Sequence, residues 1–297
     1  MHDQTPYDCI IIGAGPGGLQ AAIHFGRYNR RVLLIDRGGG RTTHAAHIVN
    51  YLGLEEVSGG ELIETGLRQA RVFGIEIHKD TVIKVTRDTD FAVETTQGVF
   101  MGRFVLVSAG AVDNQPSVKG LGRFFCKGVY TCVDCDGHLT TDTKLLVMGN
   151  SFNAVRLVFA MKQMYTEDIA LLLTDFEPPP DIEDELREEG IPYYFGEPKV
   201  LHGESRLEGA ELADGRTIPC ETIMATYGWR LNDSFLEGLP LKRDHEGFKI
   251  MTGSTNESSV PGLYVVGAMR PGHSQAIIAA GQGAVAAIDI NQKLLEL

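Results

Sequence analysis

The chain is poor in cysteine and tryptophan and has no long apolar run. Its 297 residues include five cysteines and one tryptophan, and no segment reaches the roughly 18 uninterrupted apolar residues of a membrane span. An odd number of cysteines with one close pair does not fit the disulfide framework of a small secreted domain. The first residues also lack the charged and apolar regions of a signal peptide. We therefore expect a cytoplasmic protein.

Positive charge is scarce as well. The chain has 27 Lys and Arg residues against 39 Asp and Glu residues, which gives a net charge of −12 at pH 7. Such a chain is repelled by the phosphates of nucleic acids and by anionic membrane surfaces, so we expect no nucleic-acid partner. The 43% apolar and 22% charged content otherwise describes an ordinary globular protein of about two domains.

A glycine-rich motif follows the first apolar segment, and an apolar helix pattern follows the motif. Gly13 permits a tight turn, Gly15 lets the backbone approach a pyrophosphate, and Gly18 lets the helix pack closely on the strand. The amino terminus of such a helix offers backbone amides to a phosphate. The next apolar run ends at Asp36, where a carboxylate can accept hydrogen bonds from a ribose. The order of these features predicts a site for an adenine dinucleotide.

The pair Cys132 and Cys135 is the second motif. Two cysteines separated by two residues can close a redox-active disulfide whose potential is tuned by its surroundings. Structural zinc requires four ligands, and the other cysteines form no second close pair, so we expect no metal site. A chance pair of buried thiols that pack as small hydrophobic groups stays open at this point. Asp136 follows the pair, and a carboxyl group there can protonate a leaving thiolate.

Later segments favour FAD over NAD as the dinucleotide. Residues 104–110 and 262–267 read as buried strands that end in small residues, and both can approach one cofactor. The helix pattern after Gln275 is rich in small apolar residues, as in a helix that packs closely against its neighbours.

The order of these segments resembles that of the low-molecular-weight thioredoxin reductases over almost the whole chain. Four family motifs have counterparts here, namely Gly39-Gly40 leading to Asn50-Tyr51, Ser108-Ala109-Gly110, Cys132 to Asp136, and Gln275-Ala276-Ile277. The chain also resembles a pyridine-nucleotide-independent branch of this superfamily, which includes ferredoxin-dependent flavin thioredoxin reductases and diflavin-linked disulfide oxidoreductases.

The resemblance implies an α/β, thioredoxin reductase-like fold with two Rossmann-like domains of three ββα layers, the second inserted in the first. Residues 1–114 and 245–297 would form a discontinuous FAD-binding domain. Residues 115–244 would form a degenerate NAD(P)-like domain that carries the Cys-x-x-Cys motif. The resemblance also implies a homodimer and a thioredoxin-like protein or small dithiol as the partner.

The resemblance further implies roles for individual residues. Cys135 would exchange electrons with the flavin, Cys132 would exchange with an external disulfide, and Asp136 would move the proton. The implied FAD contacts are Gly13, Gly15, Pro16, Gly18, Asp36, Gly40, Arg41, Asn50, Val82, Gly110, Gly267, Gln275, Ala276 and Ile277.

The inserted domain departs from the family where NADPH should bind. Ser151 stands where the second glycine of the fingerprint belongs, and Phe152 adds bulk beside it. No Lys or Arg lies between Gln163 and Leu186, whereas eight acidic residues do, so the 2′-phosphate of NADPH would be opposed. We expect NADPH not to bind. NADH stays open, because Asp175 follows a strand about where a ribose-binding acid would lie.

Two departures concern the flavin itself. Ala268 replaces an acidic residue that holds the ribityl chain in the family, and Arg41 replaces a Gln. A positive charge at Arg41 would lie near the isoalloxazine and raise the flavin potential.

The sequence therefore predicts an FAD-dependent thiol-disulfide oxidoreductase that works without NADPH. Ferredoxin, oxygen or a second flavin in the vacated nucleotide site would be its electron partner. One alternative is a thioredoxin reductase that uses NADH or NADPH. An alternative of another class is a non-catalytic flavin redox sensor.

Overall fold

The computed structural model describes residues 5–297, which form two compact units. The first unit runs to Val112 and resumes at Arg230, and the second unit spans Asp113–Trp229. The second unit is therefore an insertion in the first.

Strands and helices alternate along most of the chain. Before the insertion the elements are β1 (Tyr7–Ile12), α1 (Pro16–Arg27), β2 (Val32–Asp36), α2 (Gly59–Val72), β3 (Glu76–Lys79), β4 (Val82–Arg87), β5 (Phe91–Thr95), β6 (Val99–Val107) and β7 (Ala111–Asp113). The inserted segment contains α3 (Leu121–Phe124), β8 (Val129–Tyr130), α4 (Val133–Asp136), β9 (Leu145–Gly149), α5 (Phe152–Met164), β10 (Ile169–Leu173), α6 (Pro180–Glu188), β11 (Tyr193–Phe195), β12 (Pro198–His202), β13 (Gly209–Leu212), β14 (Thr217–Pro219) and β15 (Thr222–Thr226). The chain ends with β16 (Trp229–Leu231), β17 (Leu263–Val265) and α7 (Ala276–Leu295). Short 3₁₀ helices cover Arg41–His44, Gly137–Thr140, Ser234–Leu236 and Gly267–Met269.

The first unit is built on a seven-stranded sheet of order β3-β2-β1-β6-β5-β4, and β17 pairs with the carboxyl-terminal part of β6. Strands β1, β2, β3, β6 and β17 run parallel, whereas β4 and β5 extend the sheet in antiparallel fashion. Helices α1 and α7 pack on one face. The β4–β5 hairpin and residues 235–260 pack on the other face. The central strands are near-continuous apolar runs because both of their faces are covered.

Helices α1 and α7 approach each other through glycine. A Cβ atom added at Gly283 of α7 would lie 2.0 Å from the carbonyl oxygen of Gly17 in α1. One added at Gly17 would lie 2.8 Å from the Val266 side chain and 3.0 Å from the carbonyl oxygen of Ala279. The contact therefore requires the absence of side chains on both helices.

The second unit repeats this construction. Its five strands form a parallel sheet of order β11-β10-β9-β15-β8. Helices α5 and α6 pack on one face of it, and the antiparallel strands β12, β13 and β14 pack on the other. The predicted fold class is confirmed, because both units are α/β with Rossmann-type parallel sheets in three layers.

The observed boundaries differ from those expected from the sequence. The units divide after Val112 and after Trp229, whereas the sequence places the divisions after residues 114 and 244. Residues 230–244 remain with the first unit because Phe235 and Leu236 are buried in its apolar core. The apolar residues of this segment do not reveal, from the sequence alone, which of the two cores they join.

Within residues 5–297 the structure contains no helix that is long and apolar enough to cross a membrane. The same residues contain no group of three or more His, Cys, Asp and Glu side chains that is placed to hold a metal ion.

The close approach of α1 and α7 makes the substitution Gly283→Ala testable against Gly281→Ala in the same helix. No heavy atom would lie within 4 Å of a methyl group at Gly281. We expect Gly283→Ala to lower the free energy of unfolding by about 1–3 kcal/mol through overpacking. Gly281→Ala should be neutral or raise it by about 0.5–1 kcal/mol, because alanine favours helix. Urea unfolding at one protein concentration measures both, and equal shifts would contradict the packing argument.

Candidate functional site

The turn between β1 and α1 leaves an open space at one of its glycines. The Gly13 amide donates to the carbonyl oxygen of Ile35 at 2.8 Å, with a positive φ of 100°. A Cβ atom at Gly13 would lie 2.5 Å from the Ser108 carbonyl oxygen, and one at Gly18 would lie 2.0 Å from the Gly13 carbonyl oxygen. At Gly15 the nearest atoms would be 3.5 Å away, an ordinary contact. The protein itself therefore does not require glycine at position 15, whereas a closely bound pyrophosphate does.

The amino terminus of α1 is suited to an anion. Gly15 precedes the helix, Pro16 opens it, and its first turn has no acidic residue. The Oγ atom of Ser108, just after β6, accepts the Gly18 amide at 2.9 Å. Ser108 was not among the predicted site residues, because a contact between positions 90 apart leaves no local signal.

Asp36 lies at the end of β2 beside the glycine turn. Its Oδ1 atom accepts the Ala14 amide at 2.9 Å, and its Oδ2 atom accepts the Gly38 amide at 2.9 Å. Each carboxylate oxygen keeps a further lone pair that can accept a ribose hydroxyl. The arrangement fits the adenosine ribose of FAD.

A second cluster joins two predicted contacts that are far apart in sequence. The Asn50 amide group donates to the Oε1 atom of Gln275 at 3.0 Å, and Gln275 immediately precedes α7. The Gly267 amide, in a residue with a φ of 75°, donates to the Oε1 atom of Gln282 at 2.7 Å. Gln282 thus fixes the turn after β17, and the sequence argument missed it. Ala276 and Ile277 form the first turn of α7.

The remaining predicted contacts lie on other loops of the first unit. Gly40 precedes the 3₁₀ helix that Arg41 opens. Gly110, with a φ of 68°, accepts the Asn232 amide at 3.1 Å. Val82 opens β4, just after the turn that Asp80 holds by accepting the Thr81 amide.

These positions fit FAD as the bound group. The glycine turn, Asp36, Gly110 and Gly267 lie at or just beyond the carboxyl ends of β1, β2, β6 and β17, the edge at which parallel sheets bind nucleotides. A dinucleotide can lie along this edge with its pyrophosphate at α1.

The second unit carries the predicted redox pair. Cys132 and Cys135 form a disulfide with their Cα atoms 5.3 Å apart. Cys132 precedes the short helix α4, and its carbonyl oxygen accepts the Cys135 and Asp136 amides at 3.2 and 2.9 Å. Both cysteines are half-buried. A Cβ atom at Gly137 would lie 2.7 Å from the Tyr165 ring, so Tyr165 packs directly against the residue after the motif.

Asp136 lies close to a buried phenol. Burial raises the pKa of the Tyr130 hydroxyl, and the nearby Asp136 and Cys126 raise it further. The Tyr130 side chain is therefore neutral at physiological pH.

The turn between β9 and α5 keeps its shape despite the lost glycine. Ser151 has an extended backbone with a φ of −157°, which strains no residue type. Ala154 is buried at the third position of the fingerprint, and a Cβ atom at Gly149 would lie 2.6 Å from the Ala154 Cβ atom. Alanine is an accepted residue there, which the sequence argument overlooked. The turn is thus a G-x-S-x-x-A variant, and Phe152 beside it is 44% exposed.

The register of β10 shows that Asp175 does not occupy the position predicted for a ribose-binding acid. In the first unit Ile12 pairs with Ile35, so Asp36 lies opposite Gly13. In the second unit Gly149 pairs with Leu173, a fully buried residue. Leu173 therefore takes the place of Asp36, and Asp175 follows two residues later with a positive φ of 57°.

Comparisons with known proteins agree with the fold. The profile of the pyridine nucleotide-disulphide oxidoreductase family matches residues 7–283. The thioredoxin reductase of Bacillus subtilis is 27% identical over 320 residues, which cover 100% of this chain and 98% of the relative. The crystal structure of HlmI superposes with a TM-score of 0.91 at 30% identity, covering 98% of this chain and 93% of that one. The thioredoxin reductase of Streptococcus pyogenes has the same fold, with a TM-score of 0.90 at 23% identity, covering 99% of this chain and 100% of that one.

Two neighbouring glycines at the start of α2, Gly59 and Gly60, provide a matched pair of substitutions that tests the loop carrying Arg41. A Cβ atom at Gly59 would lie 1.7 Å from the carbonyl oxygen of Thr42. No heavy atom would lie within 4 Å of a Cβ atom at Gly60. We expect Gly59→Ala to displace the 3₁₀ helix and lower FAD affinity about tenfold or more. Gly60→Ala should leave affinity unchanged. Quenching of flavin fluorescence on binding to the apoprotein gives both values, and equal affinities would refute the placement of this loop at the cofactor.

Proposed function

Because the chain belongs to the pyridine nucleotide-disulphide oxidoreductase family, we propose that it moves two electrons between FAD and the Cys132–Cys135 disulfide. The electrons pass onward to, or arrive from, a thioredoxin-like protein or a small dithiol. The observation that carries the proposal is the closed disulfide followed directly by Asp136. The cytoplasm, a reducing compartment, is the proposed setting.

The proposed roles are those that the resemblance implies for these residues. Reduction of the disulfide consumes two electrons and two protons and gives two thiols. FAD supplies or accepts the electron pair when it is bound in the first unit. Cys135 exchanges electrons with the flavin, Cys132 forms the mixed disulfide with the substrate, and Asp136 donates or accepts the proton of the thiol. Tyr130 stays neutral beside Asp136 and does not compete for that proton.

A pyridine nucleotide is the proposed electron donor, which replaces the expectation of an NADPH-independent enzyme. The Bacillus subtilis relative is named a thioredoxin reductase, and it aligns over the whole of this chain. The β9–α5 turn keeps the close packing of Gly149 on Ala154, so a nucleotide can approach it. The stretch without Lys or Arg after Gln163 favours NADH over NADPH, because nothing in it pairs with a 2′-phosphate.

A nucleotide-independent oxidase is the second candidate, because several residues of the second unit are unsuited to binding a pyridine nucleotide. Ser151 adds a side chain where the fingerprint has its second glycine, Leu173 replaces the ribose-binding acid, and acidic residues follow β10. In this case a substrate dithiol is oxidised to a disulfide as it reduces the Cys132–Cys135 disulfide, and the Cys132–Cys135 pair returns to a disulfide by passing two electrons to the flavin. The bound flavin would pass both electrons to oxygen, or one electron to each of two ferredoxins. A second flavin could instead lie at the Phe152 and Phe176 rings, whose centroids are 6.4 Å apart.

We also propose a homodimer that pairs through α7. Ile278, Val285, Ile288 and Leu295 are 36, 43, 41 and 73% exposed and lie at heptad spacing on one side of the helix. The opposite side of α7 packs against α1. A row of exposed apolar side chains on one helix can pair with its own copy about a two-fold axis.

The electron donor can be identified by anaerobic titration of the holoenzyme with NADH, NADPH and dithiothreitol. If the proposal is right, a nucleotide removes the oxidised flavin absorption and NADH does so more readily than NADPH. If only the dithiol does so, and oxygen uptake then depends on dithiol, the oxidase is the correct function. Absence of flavin reduction by every donor would leave the redox sensor as the explanation.

The role of the disulfide can be tested with Cys135→Ser and with Cys126→Ser as the matched control from the same unit. We expect Cys135→Ser to abolish reduction of the flavin by dithiothreitol, because the flavin then lacks the thiol that passes electrons to it. Cys126→Ser should retain the rate. Flavin content per chain confirms that both variants are folded, and a Cys135→Ser variant with the parent rate would refute the proposed path.

The proposed dimer predicts that Val285→Arg shifts the protein to monomer. The guanidinium group would be buried where the exposed apolar row of α7, the seam, meets its copy. The control is Val72→Arg on α2, where valine is 80% exposed outside the seam. Light scattering after size-exclusion chromatography should show at least about a hundredfold weaker association for Val285→Arg alone. A dimer that survives Val285→Arg would place the interface elsewhere.

A further inference from the structure

A tight turn in the first unit directs Lys249 to the loop that follows β17. The Gly247 amide donates to the carbonyl oxygen of Asp244, and the Asp244 amide donates to that of Lys249, both at 2.9 Å. The Asp244 carboxylate accepts the Phe248 amide at 2.8 Å. The turn is therefore held by three hydrogen bonds, and the backbone direction of Lys249 is fixed by them.

The Lys249 side chain ends at the short turn that follows β17. Its Nζ atom donates to the carbonyl oxygen of Ala268 at 3.1 Å. The next amide, that of Ile250, donates to the carbonyl oxygen of Met269 at 2.9 Å. Ala268 follows Gly267 directly, at the sheet edge where the first unit presents its cofactor residues. The resemblance predicts an acidic side chain at position 268, whereas here the residue is Ala268 and its backbone carbonyl oxygen binds the Lys249 ammonium group.

Arg41 is a second cation in the same neighbourhood. Burial lowers the pKa of the Lys249 amine, Asp244 raises it, and the nearby Arg41 guanidinium lowers it again. These two residues are thus close enough for their charges to repel each other. Asp244, on the turn itself, is the acidic group that faces Lys249, and it is also engaged by the backbone amides of its own turn. Two cations held this close are stabilised when an additional negative charge lies between or beside them.

We propose that Lys249 and Arg41 form a cationic pair that stabilises the negative charge which the flavin gains on two-electron reduction. The inference rests on the proposed binding of FAD in the first unit. An oxidised isoalloxazine is neutral, and uptake of two electrons with one proton leaves it with a single negative charge. Cations beside that charge favour the reduced form and raise the flavin potential. From the sequence alone, only Arg41 is expected to have this effect.

The test compares three variants of the holoenzyme: Lys249→Gln removes the charge, Lys249→Arg retains it, and Lys242→Gln removes an exposed charge from the same unit as a control. Each protein is equilibrated with a reference dye under reducing conditions, and the ratio of reduced to oxidised flavin is read at the same dye potential. No substrate or pyridine nucleotide is needed.

We expect Lys249→Gln to lower this ratio about tenfold, which corresponds to about 30 mV for a two-electron couple. Lys249→Arg should stay within about twofold of the parent, and Lys242→Gln should match the parent. The inference is overturned if Lys249→Gln matches the parent, or if Lys242→Gln falls as far, which would indicate a general effect of net charge. It is also overturned if Lys249→Gln weakens binding of oxidised FAD without changing the ratio, because Lys249 would then pair with the pyrophosphate.

Arg41→Gln provides an independent variant should Lys249→Gln lose its FAD. It should lower the ratio in the same direction, and an unchanged ratio would again overturn the inference. A failure of this kind is distinct from failure of the proposed function, since an active enzyme with an unshifted potential refutes only the cationic pair. Conversely, a shifted potential in a protein that reduces no disulfide refutes only the function.

Discussion

Helix α1 can lie where it does only because Gly17, Gly18 and Gly283 carry no side chains. Gly18 lets α1 press against the β1 turn, and Gly17 and Gly283 let α7 press against α1. The first contact points the backbone amides of α1 at the carboxyl edge of the sheet. The second carries Gln275 and Gln282 to the same edge, where they hold Asn50 and Gly267. One steric constraint therefore organises both halves of the cofactor site.

The sequence predicted the elements whose signals are local. The β1 turn, α1 and Asp36 are encoded within thirty or so neighbouring positions by glycine spacing and apolar runs, and the structure has them as expected. Ser108, Gln282 and Lys249 were missed because each acts through a contact with a distant segment. Residues 230–244 were assigned to the wrong side of a boundary for the same reason, since burial of Phe235 depends on a core built elsewhere.

The two units show how one construction can support different chemistry. Both use a strand, a tight turn and a helix that packs on a small residue, Gly18 in one and Ala154 in the other. They differ in the residues that face a ligand, since Gly15 and Asp36 of the first unit correspond to Ser151 and Leu173 of the second. The second turn keeps the close packing of the first, although its residues at the two ligand-facing positions differ. Recognition of the fold therefore identifies the family more firmly than it identifies the electron donor.

The hydrogen bond between Asn50 and Gln275 joins residues 225 positions apart in the chain. During synthesis the first part of the FAD-binding unit leaves the ribosome first, and the inserted unit follows it. Helix α7 leaves the ribosome last, when the inserted unit is already complete. Until α7 has been synthesised, the sheet face that α7 later covers is exposed and can associate with other chains. Premature termination between Trp229 and Gln275 would therefore yield a chain that has every residue of the disulfide unit but lacks Gln275 and α7.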